Sequence, residues 1–271
     1  MVRLVDPHIH MYSRTTDDYE LMSKAGIEVV VEPSFWLGSL RTSVGTFLDY
    51  WEHIITFETK RAKEYGISHF VCISVNPKES INRPLDMESI EPMMKYLDRE
   101  NVVAVGELGY NLINDLEEEI FVKQMETAIE KNMLIMIHLP HNNKREGLVR
   151  IENLMNNNSK IGKYDRKKIL IDHNTEETIK NVLEMGMYAG LTVYPFTKLS
   201  TERAINIIKF FGSDNIMINS SADWGPSDPL SVLTVSREMR KKNINRNDIE
   251  NVTFFNAYKF YKQSSRFTWS P

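Results

Sequence analysis

The feature that most constrains the fold is a regular alternation of short apolar runs and longer amphipathic segments. Near-continuous apolar runs are typical of parallel strands that are buried on both faces. Eight such runs span Leu4 to Ile9, Ile27 to Glu32, His69 to Val75, Val102 to Glu107, Leu134 to His138, Ile169 to His173, Ala189 to Val193 and Asn215 to Ser220. Helices are predicted over residues 47–65, 86–99, 116–132, 146–157, 175–185, 201–211, 229–242 and 248–261.

Eight strands alternating with helices, at about 34 residues per unit, predict an α/β fold of the (β/α)8 TIM-barrel type. A doubly wound open sheet is the structural alternative. Such a sheet usually has fewer strands, and no Gly-x-Gly-x-x-Gly follows the first run here. Because no linker or low-complexity boundary interrupts the pattern, we interpret residues 1–271 as one domain.

Composition limits the functions that this chain can have. Its formal net charge is −4, so no global basic field favours nonspecific nucleic-acid binding. Cys72 is the only cysteine, which rules out an intramolecular disulfide and a cysteine-based zinc site. No run approaches the ~18 apolar residues of a membrane span, and the start lacks a signal-like apolar region. We therefore expect a cytoplasmic protein without a membrane partner.

Polar side chains gather where the predicted strands end. Asp6, His8 and His10 alternate along the first strand and therefore share a face. Buried imidazoles are usually hydrogen-bonded or bound to a metal. Active sites of barrels lie at the carboxyl ends of the strands. At that end of later strands the sequence places Glu107, His138, His173 and Asp223.

Each of these residues alone has an ordinary structural interpretation. Glu107 could pair with a lysine, and Asp223 could cap the following helix. Six such side chains at one rim instead predict a metal centre. The remaining histidines differ, because His53 lies within a helical segment and His69 begins the third strand at the opposite rim. We expect both to be dispensable for chemistry.

Mixed imidazole and carboxylate ligands suit zinc, manganese or iron, and magnesium at an oxygen-rich position. Six ligands exceed the need of one tetrahedral zinc, so we expect up to two divalent metals per chain. The ligands would divide around a shared Glu107: His8, His10 and Asp223 on one metal, His138 and His173 on the other. Such a pair can activate water and polarise a substrate oxygen, which is hydrolytic chemistry.

The order of these residues resembles the amidohydrolase superfamily and, within it, the TatD-like hydrolases. The match runs from Asp6-Pro7-His8-Ile9-His10 through Gly106-Glu107-Leu108-Gly109 to Asp223, and Asn256-Ala257 also resembles the superfamily's carboxyl end. The resemblance implies a divalent-metal-dependent hydrolase that uses a metal-activated water, and TatD members are best known as nucleases acting on phosphodiesters. It implies these metal ligands: His8, His10, Glu107, His138, His173 and Asp223.

Three departures from the TatD pattern concern the substrate. TatD nucleases typically have Leu-Asp where this chain has Tyr110-Asn111, and Glu-Thr-Asp where it has Ser221-Ala222-Asp223. An arginine usually stands two residues after the strand-five histidine, at the position of Pro140. This segment is more similar to the archaeal-type TatD-related hydrolases. Without this arginine the chain lacks the paired N–H donors of a guanidinium, which suit phosphate oxygens. Three residues could substitute for it: Lys144, Arg145 or Lys198.

Asp223 is also our candidate for the catalytic proton acceptor, since a closed barrel brings it beside the first strand. Candidates for substrate binding at the same rim are Asn111, His141, Tyr194 and Trp224. Phe35 and Trp36 would either stack on a substrate ring or pack against the helix layer.

The leading hypothesis is hydrolysis of phosphate esters, with a small-molecule or nucleic-acid substrate. The same centre would also serve to hydrolyse an amide, lactone or cyclic amide. A non-enzymatic barrel that only binds metal is the third hypothesis, and the complete set of candidate ligands disfavours it.

Overall fold

The apolar runs form eight parallel strands that follow one another in chain order around one sheet. The computed structural model describes residues 3–271. The strands are β1 Leu4–Asp6, β2 Ile27–Pro33, β3 Ser68–Ile73, β4 Val102–Gly109, β5 Leu134–His138, β6 Ile169–Asp172, β7 Tyr188–Thr192 and β8 Ile216–Asn219. The predicted single-domain (β/α)8 barrel is confirmed. Its predicted bounds of 1–271 include Met1 and Val2, which lie outside the described residues.

The two edges of the sheet meet where the chain leaves β1 and β8. Ser221 N donates to His8 O at 2.7 Å, and His10 N donates to Ala222 O at 2.9 Å. The strand β1 itself ends at Asp6, earlier than predicted, because the following Pro7 has no N–H for the ladder. The paired histidines therefore lie on the segment that joins the two edges, at the carboxyl end of the barrel.

Helices cover the outside of the sheet. They are α1 Thr16–Ala25, α2 Val44–Glu52, α3 Thr59–Glu64, α4 Arg83–Tyr96, α5 Asp115–Glu130, α6 Lys144–Asn157, α7 Ser159–Gly162, α8 Ile179–Glu184, α9 Thr201–Phe211, α10 Ser231–Lys241, α11 Arg246–Glu250 and α12 Asn256–Tyr261. Two π-helical segments, His53–Glu58 and Asn251–Phe255, join α2 to α3 and α11 to α12. The helices predicted over 47–65 and 248–261 are therefore continuous but contain a π-helical turn.

Helix α1 was not predicted from the sequence. Its first turn is polar, and only Tyr19 and Met22 of the helix are buried, so the apolar period is weak. Local signals delimit it instead. Thr15 N donates to Asp18 Oδ2 at 3.1 Å at the start, and Gly26 ends it in the left-handed region at φ +84°.

Several helices begin at different residues from those predicted, α4 and α8 among them. Helix α4 begins three residues earlier, and Asp86 is not its cap but accepts a hydrogen bond from Asn82 N at 2.9 Å. Helix α8 begins later than residue 175, since Thr178 Oγ1 accepts from Thr175 N at 3.1 Å in a turn that precedes it.

The C-terminal segment closes the amino end of the barrel. Phe267 packs on Phe70 near the start of β3, with ring centroids 4.4 Å apart. Phe260 packs on Tyr188 at the start of β7, at 5.1 Å. The carboxyl ends of the strands are therefore the end that is free to form a site. Among residues 3–271, no helix has both the length and the apolarity to cross a membrane.

The two histidines expected to be structural belong to hydrogen-bonded contacts on the helix side of the sheet. His69 Nε2 lies 2.8 Å from Glu32 Oε2, and its Nδ1 lies 2.8 Å from Thr59 Oγ1. His53, in the first π-helical segment, lies 3.1 Å from Glu58 Oε1. These contacts give both imidazoles structural partners; that both are dispensable for chemistry stays a prediction.

Candidate metal centre

The carboxylate of Glu107, on β4, lies at the centre of a buried cluster of imidazoles. Its Oε1 is 2.8 Å from His138 Nδ1, 3.0 Å from His173 Nε2 and 3.6 Å from His8 Nε2. Its Oε2 is 4.0 Å from His10 Nε2. One carboxylate therefore contacts imidazoles that follow β1 and β6 and one that ends β5.

The Nε2 atoms of His8 and His10 face each other. Their Nε2 atoms are 3.1 Å apart, and both side chains are buried. His10 Nδ1 is buried and has no hydrogen-bond partner among the described residues. Burial, together with neighbouring His8, lowers the pKa of His10 to about 3. A neutral imidazole has one nitrogen free to coordinate a metal, and Nε2 is the nitrogen of His10 that faces the cluster.

The ligand atoms fall into three compact groups, each with all atoms within 4.8 Å of one another. The groups are His8, His10 and Glu107; Glu107, His138 and His173; and His8, Asp172 and His173. Two of the three share Glu107. Nitrogen and oxygen donors in this arrangement suit the divalent metals expected from the sequence, with a carboxylate common to two positions.

The charge states of Glu107, His138 and His173 also suit metal binding. The pKa of His8 is instead raised, because the carboxylates of Glu107 and Asp172 outweigh the lowering effect of burial. Burial alone would raise the pKa of Glu107, but His8 and His138 outweigh it and hold that pKa well below its usual value. Burial lowers the pKa of His138, and lowers that of His173 far more. Ionised carboxylates and neutral imidazoles are the forms in which these side chains coordinate metals.

Sequence reasoning missed Asp172, which is buried at the end of β6. Its Oδ2 accepts a hydrogen bond from His8 Nδ1, and its Oδ1 accepts from His173 N at 2.7 Å. Asn219 Nδ2 donates to both oxygens, at 2.9 and 3.1 Å. Gly190 makes room, because a Cβ there would lie 2.0 Å from Asp172 Oδ1. A carboxylate that fixes a ligating imidazole also fixes its tautomer.

The ring of His173 reaches Glu107 from a left-handed backbone conformation, φ +63°. Only a few per cent of non-glycine residues adopt this region, and histidine is among the residue types that do so more often. On the far side of the ring, Nδ1 lies 2.6 Å from Thr192 Oγ1.

Asn76, also unpredicted, donates to Glu107 Oε2 at 3.2 Å. The only sequence signal for Asp172 was its place beside His173 at the end of an apolar run.

Asp223 lies on the same side of the barrel, but its carboxylate is in none of the three groups of ligand atoms found in residues 3–271. Its Oδ1 accepts hydrogen bonds from Tyr194 OH and from Gly225 N, both at 2.7 Å. The alternative that Asp223 caps the next helix is wrong, because α10 begins only at Ser231. Metal binding by Asp223 stays a prediction.

A cavity of about 310 Å³, here called the metal-side cavity, opens beside the cluster. All four side chains proposed for substrate binding line it: Asn111, His141, Tyr194 and Trp224. Three of the candidate ligands also line it: Glu107, His138 and Asp223. The cavity therefore connects the candidate ligands with solvent. Burial and the nearby Lys198 lower the pKa of His141 to about 4, so this imidazole is neutral near pH 7.

Two lysines face the metal-side cavity. Lys198 Nζ donates to Ser221 Oγ at 2.9 Å and lies 5.1 Å from the centre of the Tyr194 ring. Lys78, which sequence reasoning missed, has its Nζ 4.7 Å from the Trp36 ring. Neither lysine has a carboxylate oxygen within 4.0 Å among the ion pairs of residues 3–271. The cavity thus holds two cations available to an anionic group.

The other two cations considered as replacements for the missing arginine lie elsewhere. Lys144 Nζ donates to Pro140 O at 2.9 Å and is buried. Arg145 is exposed on α6 and is not among the residues that line the cavity. Of the three candidates, only Lys198 is placed to meet a substrate.

Comparisons with known proteins find similarity over nearly the whole chain. The family model of the TatD-related DNases matches residues 5–262. An uncharacterized metal-dependent hydrolase from Methanocaldococcus jannaschii is 30% identical over 262 residues, which are 96% of this chain and 100% of that relative. A TatD-like protein from Archaeoglobus fulgidus is similar in structure, with a TM-score of 0.77 at 23% identity over 95% of this chain and 99% of its own.

A phosphotriesterase homology protein from Escherichia coli, solved with phosphate in its active site, has a TM-score of 0.67 at 13% identity. The match covers 96% of this chain and 99% of that one. At these identities the two solved structures show a shared fold.

Replacing both histidines that follow β1, His8→Ala with His10→Ala, should lower the metal content of the protein and abolish hydrolysis. The physical reason is the loss of two of the three donors in the group that they form with Glu107. Elemental analysis after equilibration with zinc or manganese measures the effect. His53→Ala is the matched control and should keep the wild-type stoichiometry. An unchanged metal content in the folded double variant would contradict the assignment.

Proposed function

This chain belongs to the TatD-related DNase family and is a TatD-like metal-dependent hydrolase; on this premise we propose that it cleaves phosphate esters, nucleic-acid phosphodiesters among them. The observation that carries the proposal is the pair of lysines, Lys78 and Lys198, facing the same cavity as Glu107. Two cations without carboxylate partners favour an anionic substrate group. Lysine binds phosphate as a point charge. In this proposal the two lysines replace the arginine that TatD nucleases usually have at the position of Pro140.

We propose up to two divalent metals, of zinc, manganese or magnesium, for this site. The residues that would hold them are His8, His10, Glu107, His138, His173 and Asp223. When bound, such metals lower the pKa of water and polarise the phosphoryl oxygen. The third group of donors, which contains Asp172, is better explained as support, because Asp172 already accepts hydrogen bonds from His8, His173 N and Asn219.

The protein's own side chains supply the remaining steps. Lys78 and Lys198 would orient the phosphate by charge. Asp223 would accept the proton of the attacking water and return it to the leaving oxygen. Tyr194 and Gly225 support this role, because both hydrogen-bond Oδ1 and so fix the carboxylate, while neither occupies Oδ2.

Hydrolysis of an amide, lactone or cyclic amide remains the alternative, because the same donors would serve it. Neutral substrates gain little from the charges of Lys78 and Lys198, and this disfavours the alternative. The hypothesis of a non-enzymatic scaffold does not agree with membership of a hydrolase family.

A substrate panel tests the proposed function. Protein stripped with a chelator and reloaded with manganese or zinc should hydrolyse bis(4-nitrophenyl) phosphate and a single-stranded oligonucleotide. The same protein should not hydrolyse γ-lactones or dihydroorotate-type cyclic amides at comparable rates. Hydrolysis that is restored by metal but confined to the neutral substrates would overturn the phosphate-ester proposal.

Asp223→Asn should lower kcat by about 100-fold, the usual size of a lost general acid–base contribution. The amide keeps an oxygen for the hydrogen bonds from Tyr194 and Gly225, so fold and most of the metal should remain. Steady-state kinetics with excess metal and elemental analysis measure both quantities. Asp228→Asn, on the same loop and with the same charge change, is the control. A near-normal kcat in Asp223→Asn would reject the catalytic role.

A further inference from the structure

We propose that a second cavity beside the metal-side cavity binds the nucleoside that flanks the scissile phosphate. This inference rests on the proposed phosphate-ester function and deepens it, because it assigns a binding subsite for an extended phosphodiester. The second cavity, called here the outer cavity, has a volume of about 640 Å³. Sites for small molecules are commonly of about this size.

The two cavities share a wall. Trp36 and Lys78 line both the metal-side cavity and the outer cavity. A substrate group that extends out of the metal-side cavity therefore passes these two side chains before it reaches the outer cavity. Glu107 and His138 line only the first cavity, so the outer cavity contains none of the candidate ligands. Its function is then to bind the part of the substrate that does not react.

The surface between the two cavities is aromatic. The Phe35 ring stacks on His10 with centroids 3.9 Å apart and lies 5.6 Å from Trp224. Trp224 in turn lies 6.0 Å from Trp36, which borders the outer cavity. Aromatic side chains bind nucleobases by stacking, whatever the base. A continuous row of rings from the candidate ligand His10 to the outer cavity suits a chain of bases.

The outer cavity exposes large apolar side chains that a folded chain normally buries. Leu40 is 72% exposed and Ile81 is 54% exposed, and both line it. Leu85 and Pro84 of α4 add to the same wall. Exposed apolar groups gathered around a cavity indicate a binding surface. Together with Trp36 they give the outer cavity an apolar lining, called here the slot, against which a nucleobase could pack.

Among the cations that line the outer cavity, Lys78 is the one left for a phosphate; the acidic Asp86 also lines it and accepts a hydrogen bond from Asn82 N. Arg41 is buried and pairs with Glu79 at 2.7 Å, so these two charges neutralise each other. Arg83 pairs with Glu119 on α5. Lys78, on the shared wall, has no such partner among the ion pairs of residues 3–271. A phosphate between two nucleosides would meet Lys78 where the two cavities join.

The test uses the double variant Leu40→Glu with Ile81→Glu, which fills the slot with charge without touching a candidate ligand. The matched control is Leu21→Glu with Val149→Glu. These two residues are also exposed, at 49% and 44%, and line neither cavity. Each manganese-loaded protein is assayed on octadeoxythymidine and on 4-nitrophenyl phosphate, a monoester small enough for the metal-side cavity alone. Fluorescence anisotropy of labelled octadeoxythymidine, in chelator to stop hydrolysis, reports binding separately.

The slot variant should lose about tenfold in kcat/KM on octadeoxythymidine and keep its rate on 4-nitrophenyl phosphate within about twofold. Its dissociation constant for the labelled oligonucleotide should rise by a similar factor, while the control matches wild type. Equal losses on both substrates, or an unchanged dissociation constant, would overturn the inference. Wild-type protein that hydrolyses neither substrate would instead contradict the proposed function, and the anisotropy comparison would still decide whether the outer cavity binds the oligonucleotide.

Discussion

The rest of the structure depends on the burial of one carboxylate, that of Glu107, among four imidazoles. Removing a carboxylate from water costs several kcal/mol unless partners replace the water. Here His138, His173 and Asn76 lie within hydrogen-bonding distance, and the imidazoles hold the pKa of Glu107 well below its usual value. The same arrangement brings nitrogen and oxygen donors from four segments of the barrel to one place. Imidazole nitrogens and carboxylate oxygens gathered at one buried point are the donor set that divalent metals prefer.

The barrel fixes this cluster through buried residues on neighbouring strands. Asp172 accepts hydrogen bonds from His8 Nδ1 and from Asn219 Nδ2. Gly190 leaves room for this carboxylate, because a Cβ at residue 190 would overlap it. His173 adopts a left-handed backbone conformation, from which its ring faces Glu107. These supports come from β6, β7 and β8, whereas the groups that face solvent come from loops. The sheet therefore determines the positions of the donor atoms. The loops that carry Lys78, Lys198 and Trp224 determine which substrates fit the metal-side cavity.

Much of this was predictable from the sequence, because apolar runs and their terminal polar residues depend on local pattern. The barrel, its strand order and the meeting of His8, His10, Glu107, His138 and His173 at one rim follow from where strands end. What was missed depends on distant neighbours. Lys78 has no local signature, and only the fold places it over Trp36 beside the cavity. Asp172 looked like part of a strand, and α1 buries too few side chains to show a helical period.

The central proposal is that Glu107 would be held in common by two divalent-metal positions, and anomalous X-ray scattering tests it most directly. Crystals grown with manganese or zinc would be measured at energies on both sides of the absorption edge of that metal. The account predicts two anomalous peaks that both contact Glu107: one beside His8 and His10, the other beside His138 and His173. Peaks that avoid Glu107, or no peak in this cluster at saturating metal, would contradict it.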